Sequence, residues 1–194
     1  MYVIVGLGNP GDKYAHTRHN AGYDVVEVLS QQSGIRLTRT RCKARVGEGR
    51  IGGKPVALCK PQTYMNLSGE SVVALCNWYK PEPDQLILVY DDVDLPFGRL
   101  RFRTQGSAGT HNGMRSIVYL LGRDDFPRVR VGIGRPPEQW DLKDYVLTGY
   151  HGPEERKIAF DAFLAAARTI ELYLEEGAQR AAAFANAYAG VAGP

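Results

Sequence analysis

The sequence predicts a single α/β domain: a mixed, twisted sheet with helices on both faces. Three observations carry that expectation. Short apolar, β-branched runs alternate with segments of helical period, Gly52-Gly53 joins two strand-like runs as a hairpin, and no repeat or linker divides the 194 residues. With 44% hydrophobic and 23% charged residues, the composition is that of an ordinary globular protein. The domain is expected over residues 1–190, with a flexible tail at 191–194.

Residues 2–6 read as a buried strand ending in glycine. Asn20 to Ser33 places Val25, Val26, Val28 and Leu29 at helical spacing and closes at Gly34, with Asn20 as its expected N-cap. Strands over 44–51 and 54–60 flank the hairpin, which favours a mixed sheet over a purely parallel one. A helix over Asn66–Tyr79 packs through Val72, Val73, Leu75 and Cys76 and stops before Pro81. Leu86–Tyr90 is a wholly apolar strand that runs into Asp91-Asp92. Arg99–Thr104 alternates, so Leu100 and Phe102 face inward and the arginines outward. A helix over 113–121, a strand over 129–133, a long amphipathic helix over 153–176 and a last helix over 178–188 complete the chain.

Several classes of protein drop out. No run approaches the roughly 20 apolar residues that span a bilayer, and Met1–Gly6 lacks the basic leader and cleavage site of a signal peptide. Cys42, Cys59 and Cys76 include no Cys-x-x-Cys pair, which argues against a zinc site or a disulfide framework and fits a reducing cytosol. The net charge of +3 is uneven: residues 151–194 hold four bases against six acids, which leaves +5 on 1–150. Six bases between Arg36 and Arg50 meet one acid, Glu48, a bias that permits an anionic partner.

Gly6-Leu7-Gly8-Asn9-Pro10-Gly11 has the form of a dinucleotide fingerprint after a strand. Its physics points elsewhere: Pro10 has no N–H for a pyrophosphate, and no clear helix begins at Gly11. A tight turn that presents Asn9 at a strand's C-terminal edge accounts for it better. His19, in Thr17-Arg18-His19-Asn20, sits on a loop beside a helix start. A carboxylate at Asp91, ending the most apolar strand, is costly without a partner. Paired with His19 it would hold one imidazole tautomer and leave the other nitrogen as a base. The plainer alternatives are a satisfied surface histidine and a cap built from Asp91 or Asp92.

No nucleophile completes a triad, so the simplest chemistry is activation of water. A metal site would have to recruit His16, His19, Asp91, Asp92 and Asp94, and His16 and His19 converge only if a helical turn joins them. Asn9, Asn66 and Asn112 all lie at element termini, where capping is the ordinary role; an amide also suits the reading of a neutral peptide unit. Arg99, Arg101 and Arg103 share one strand face about 6.6 Å apart, a spacing suited to successive phosphates, although a solvated basic face would look the same.

Taken together, these motifs resemble the bacterial peptidyl-tRNA hydrolase family. The residues that carry the resemblance are Gly6–Gly11 with Tyr14 and Thr17–Gly22, Pro61-Gln62-Thr63-Tyr64-Met65-Asn66-Leu67-Ser68-Gly69, Asp91–Gly98, and Gly109-Thr110-His111-Asn112-Gly113. The resemblance implies a metal-free esterase of one α/β domain that needs no cofactor. It would cleave the ester between a peptide and the 3′-terminal ribose of tRNA, recycling peptidyl-tRNA released from ribosomes. The expected partner is peptidyl-tRNA, with no membrane and no obligate protein partner, and the expected state a cytoplasmic monomer. By motif position His19 resembles the general base and Asp91 the acid that keeps it basic. Asn9, the third residue of this catalytic set, resembles the one that separates blocked from free aminoacyl-tRNA. Asn66 and Asn112, with Tyr14 and Tyr64, resemble the lining that grips peptide and terminal adenosine, and Arg101, Arg103 and Arg130 the basic tRNA contacts. Tyr64 stands where Phe is common, and Tyr90 and Asp92 stand where His and Glu are familiar. The rival from another class is a non-catalytic RNA-binding protein on the same scaffold, as in plant splicing factors related to the family.

Overall fold

The computed structural model describes residues 1–190, so the tail expected at 191–194 lies outside it. Seven strands form one sheet: β1 (Tyr2–Gly6), β2 (Arg39–Arg41), β3 (Ala44–Ile51), β4 (Lys54–Pro61), β5 (Leu86–Asp92), β6 (Leu100–Arg103) and β7 (Arg128–Gly132). Their order is β2-β3-β4-β1-β5-β7-β6. The centre, β4-β1-β5-β7, is parallel, and antiparallel ribbons close both edges. The sheet is therefore mixed, as the hairpin at Gly52-Gly53 predicts. The helices are α1 (Ala21–Ser33), α2 (Ser68–Tyr79), α3 (Asn112–Leu121), α4 (Leu142–Val146), α5 (Gly152–Glu176) and α6 (Ala178–Ala187). None is long and apolar enough to cross a membrane, among the described residues.

The period-2 alternation of the strands builds two core layers. On one face Ile4, Leu58, Ile87, Val89, Phe102 and Val129 meet Val25, Val26 and Leu29 of α1 and the alanine-rich side of α5 and α6. On the other, Val3, Val5, Ala57, Leu88 and Tyr90 meet Val72 and Leu75 of α2 and Met114 and Ile117 of α3. The parallel strands β1, β5 and β7 end at the same edge of the sheet, where α1 and α3 begin.

Two local expectations need correction, and two elements were not expected. The segment expected to be helical from Asn66 is a separate 3-10 turn, Met65–Leu67, with α2 starting only at Ser68, so Asn66 lies on a turn. Asn20 stands at the N-cap position of α1 without making a side-chain cap, because its amide is engaged by the backbone of Asn9. β2 and α4 have no sequence signal: Arg39-Thr40-Arg41 holds no apolar residue, and five residues are too few to show a helical period.

The first turn of α1 lies directly on the strand ends. A Cβ on Gly22 would stand 2.3 Å from the Val89 carbonyl oxygen and 2.4 Å from the Leu7 nitrogen, and one on Gly6 2.1 Å from the Gly22 carbonyl oxygen. Backbone against backbone, this packing fixes residues 18–20 beside the end of β5. Gly22→Ala should therefore cost more than about 2 kcal/mol, the range of overpacked cores, read as a lowered urea midpoint with an unchanged slope.

Candidate active site

Beyond β1 the chain turns at Leu7, whose N–H donates to Val89 O (2.9 Å). Asn9 N–H donates to Asn20 Oδ1 (2.9 Å), and Asn20 Nδ2 donates back to Asn9 O (3.0 Å). Asn20 thus latches the Asn9 turn to the start of α1. The Asn9 side chain, 8% exposed, accepts the Met65 N–H at Oδ1 (2.8 Å). That bond assigns the amide: its oxygen faces Met65 and its NH₂ is left to offer. The oxygen is thus engaged by the Met65 backbone, and the NH₂ is the group turned away from it. The same turn ends at Gly11 (φ 103°) and leads into a three-residue 3-10 helix, so no α-helix start is available for a pyrophosphate.

Asp91 continues the α1-facing column of Ile87 and Val89 and is only 2% exposed. Two imidazoles meet it. His19 Nδ1 lies 2.9 and 3.0 Å from its two oxygens, and His111 Nε2 lies 3.0 Å from Oδ1. The other nitrogen of His111, Nδ1, accepts the Met114 N–H (3.2 Å) as the N-cap of α3. His111 is therefore fixed with its proton on Nε2, donating to Asp91. His19 donates from Nδ1, which leaves its Nε2 unprotonated in the neutral ring. Burial works against a charged His19, but the charge of Asp91 and its hydrogen bond outweigh it and hold the imidazole above its ordinary 6.5. Burial likewise opposes the Asp91 carboxylate, and the two imidazoles overcome it, holding the group far below the usual carboxylate range.

His19 and Asp91 line a cleft of about 850 Å³. Its walls include the loop from Arg103 to Asn112 and, around α4, Asp141, Leu142, Lys143 and Val146. Asn112 borders the cleft and, like Asn66, is exposed. Tyr14 and Tyr64 meet edge to face with ring centroids 6.3 Å apart, and Tyr64 is 55% exposed. Across the β6–β7 ribbon Arg101 stands opposite Arg130 and Arg103 opposite Arg128. Four guanidinium-bearing residues thus share one sheet face. Arg130 pairs with Asp92, while Arg101 and Arg103 have no ion pair among the described residues.

Sequence reasoning assigned no role to His111 or Arg128. His111 was visible only as a member of the Gly109–Gly113 motif; a histidine N-cap has no period to betray it. Arg128, only 2% exposed, donates to Gly106 O (2.5 Å) and Asp124 O (2.7 Å) and so staples the loop that walls the cleft. The metal set considered from sequence does not assemble: His16 bonds Asp24, Asp92 pairs with Arg130, and Asp94 with Arg135. His19, Asp91 and His111 do lie close enough to share an ion. Yet His111 would have to present Nε2 as a lone pair while Nδ1 is already accepting a backbone N–H, so the donor chemistry does not suit one.

A family model described as peptidyl-tRNA hydrolase matches residues 3–191. A peptidyl-tRNA hydrolase of Roseiflexus castenholzii is 57% identical over 178 residues, covering 91% of this chain and 83% of its own length. One of Chloroflexus aurantiacus is 54% identical, covering 91% and 94%. Among solved structures, peptidyl-tRNA hydrolase of Acinetobacter baumannii superposes with a TM-score of 0.90 at 38% identity, covering 97% of this chain and 95% of that one.

The tautomer assignment is open to measurement. By nitrogen-15 NMR, His19 should titrate above 6.5 in the wild type. In Asp91→Asn the midpoint should fall: the single amide oxygen goes to the fixed His111 Nε2–H, and the amide NH₂ then forces the His19 proton from Nδ1 to Nε2. An unmoved midpoint would remove Asp91 as the partner that matters.

Proposed function

Since the chain belongs to the peptidyl-tRNA hydrolase family, and so hydrolyses the ester that joins peptide to tRNA, we propose that His19 is its general base and Asp91 the group that orients it. The observation carrying this reading is the double acceptance at Asp91, which leaves His19 Nε2 as a free base on the cleft. Water attacks the ester carbonyl as Nε2 takes its proton. The tetrahedral oxyanion needs N–H donors, and the turns at Asn66 and Asn112 supply backbone and amide groups of that kind. On collapse the C–O bond to the ribose breaks, and the His19 imidazolium returns the proton to the departing 3′-oxygen. An ester leaves readily enough that no acyl-enzyme is needed.

Asn9 reads the peptide by its free NH₂, which donates to the carbonyl of an N-blocked residue. A free α-ammonium is itself a donor; set against that NH₂ it would lose its hydration without gaining an acceptor. Tyr14, Tyr64 and the exposed Asn66 and Asn112 grip the peptide and terminal adenosine. Arg101 and Arg103, with Arg130 behind them, hold tRNA phosphates; their lack of internal carboxylates other than Asp92 supports that use. In this reading the protein acts as a cytoplasmic monomer on peptidyl-tRNA released from ribosomes. Relatives described throughout as hydrolases give the non-catalytic RNA-binding alternative no support.

Hydrolysis of N-acetyl-aminoacyl-tRNA in the presence of EDTA tests the reading directly. Turnover should survive the chelator and fall by about a thousandfold or more in His19→Ala, with tRNA affinity unchanged; loss of binding in parallel would deny His19 its role. Asn9→Asp keeps an oxygen for Met65 but puts an acceptor where the NH₂ now stands. The preference for blocked over free aminoacyl-tRNA should then shrink, and an intact preference would exclude Asn9 as the reader. Arg103→Ala should raise KM and reduce the slope of log KM against log salt by about one, without affecting a short ester that lacks tRNA.

A further inference from the structure

Arg18, the residue before His19, is 4% exposed. Its Nη2 donates to Glu155 Oε2 (2.8 Å) at the start of α5, and its Nε to Thr148 Oγ1 (3.3 Å). The guanidinium carbon lies 4.9 Å from the ring centres of both Tyr145 and Tyr150 and 5.5 Å from that of Phe97. Its backbone N–H donates to Thr148 O (2.8 Å). Tyr145 is itself held, donating its hydroxyl to Ile133 O (2.6 Å) just beyond β7.

A loop that only needed anchoring would bury an apolar side chain more cheaply than a guanidinium. What a planar, multiply donating cation adds is geometry: it fits one orientation between rings and acceptors. The elements it joins are specific. One is the 3-10 turn Arg18–Asn20, which carries His19; the other is α4, whose Leu142, Lys143 and Val146 wall the cleft. We propose that Arg18 is a positioning residue for the reaction, setting the His19 turn against the α4 wall so that base and wall meet the substrate as one unit. The proposal rests on the reading of His19 as base.

Arg18→Lys keeps the charge within reach of Glu155 but loses the planar stacking and the Nε donor. Tyr145→Leu removes one ring from the cage without touching His19 or lining the cleft. In both, kcat on N-acetyl-aminoacyl-tRNA should fall about tenfold to a hundredfold with KM within about twofold, and the His19 titration midpoint should move downward as its contact with Asp91 loosens. Thermal melts identify the folded variants; if Arg18→Lys does not fold, Tyr145→Leu decides. A lowered melting temperature with unchanged kcat and an unmoved midpoint would make Arg18 a structural anchor only and overturn the proposal. A loss confined to KM would overturn it too. His19→Ala separates the two readings: if that variant still turns over, the base assignment fails, whereas its inactivity beside unaffected Arg18→Lys and Tyr145→Leu sinks the positioning role alone.

Discussion

A carboxylate at the end of an all-apolar strand, almost without access to water, has to be compensated by what surrounds it. At Asp91 the compensation is two imidazoles, arriving from the start of α1 and the start of α3. Both helices begin at the C-terminal edge of the parallel strands, the edge where α/β sheets generally place their ligands. The cost of the buried charge thus becomes the means of orientation. Asp91 can accept from both rings at once because it is ionised, and it remains ionised because both rings donate.

The same economy of donors and acceptors governs the Asn9 turn. Asn20 gives its whole amide to the Asn9 backbone, and Asn9 gives its oxygen to Met65. What is left is the remainder, a single NH₂ of fixed direction. Selectivity on this account comes from what has already been used inside the protein. On the β6–β7 ribbon the balance is reversed: four guanidinium-bearing residues share one face and, among the described residues, meet a single paired carboxylate, Asp92.

The architecture was legible wherever a period or a punctuating residue existed. The alternation of Leu100 and Phe102, the hairpin at Gly52-Gly53, and the apolar run into Asp91 all announce themselves. So did the proximity of His19 and Asp91, because a carboxylate in that position demands a partner. His111 was not legible as the second partner, since its part depends on where α3 begins relative to β5, a matter of tertiary register. Asn20 misled in the other direction: its residue type suits a cap, but a nearby backbone with two unsatisfied groups outcompeted the helix. α4 escaped notice because its residues answer to the cleft and to the cage around Arg18, with no core face of their own.

The arginine ribbon has a kinetic corollary. If Arg101 and Arg103 hold tRNA phosphates, as proposed, those phosphates look the same to them before and after the ester is cut. Binding energy from that grip is therefore shared by substrate, transition state and product; it lowers the concentration at which the enzyme saturates without speeding the chemical step. As ionic strength falls, such a grip would tighten and slow the departure of the spent tRNA. Throughput would then depend on how fast a polyanion leaves a ribbon of like charges, so that capture and release would pull the best salt concentration in opposite directions.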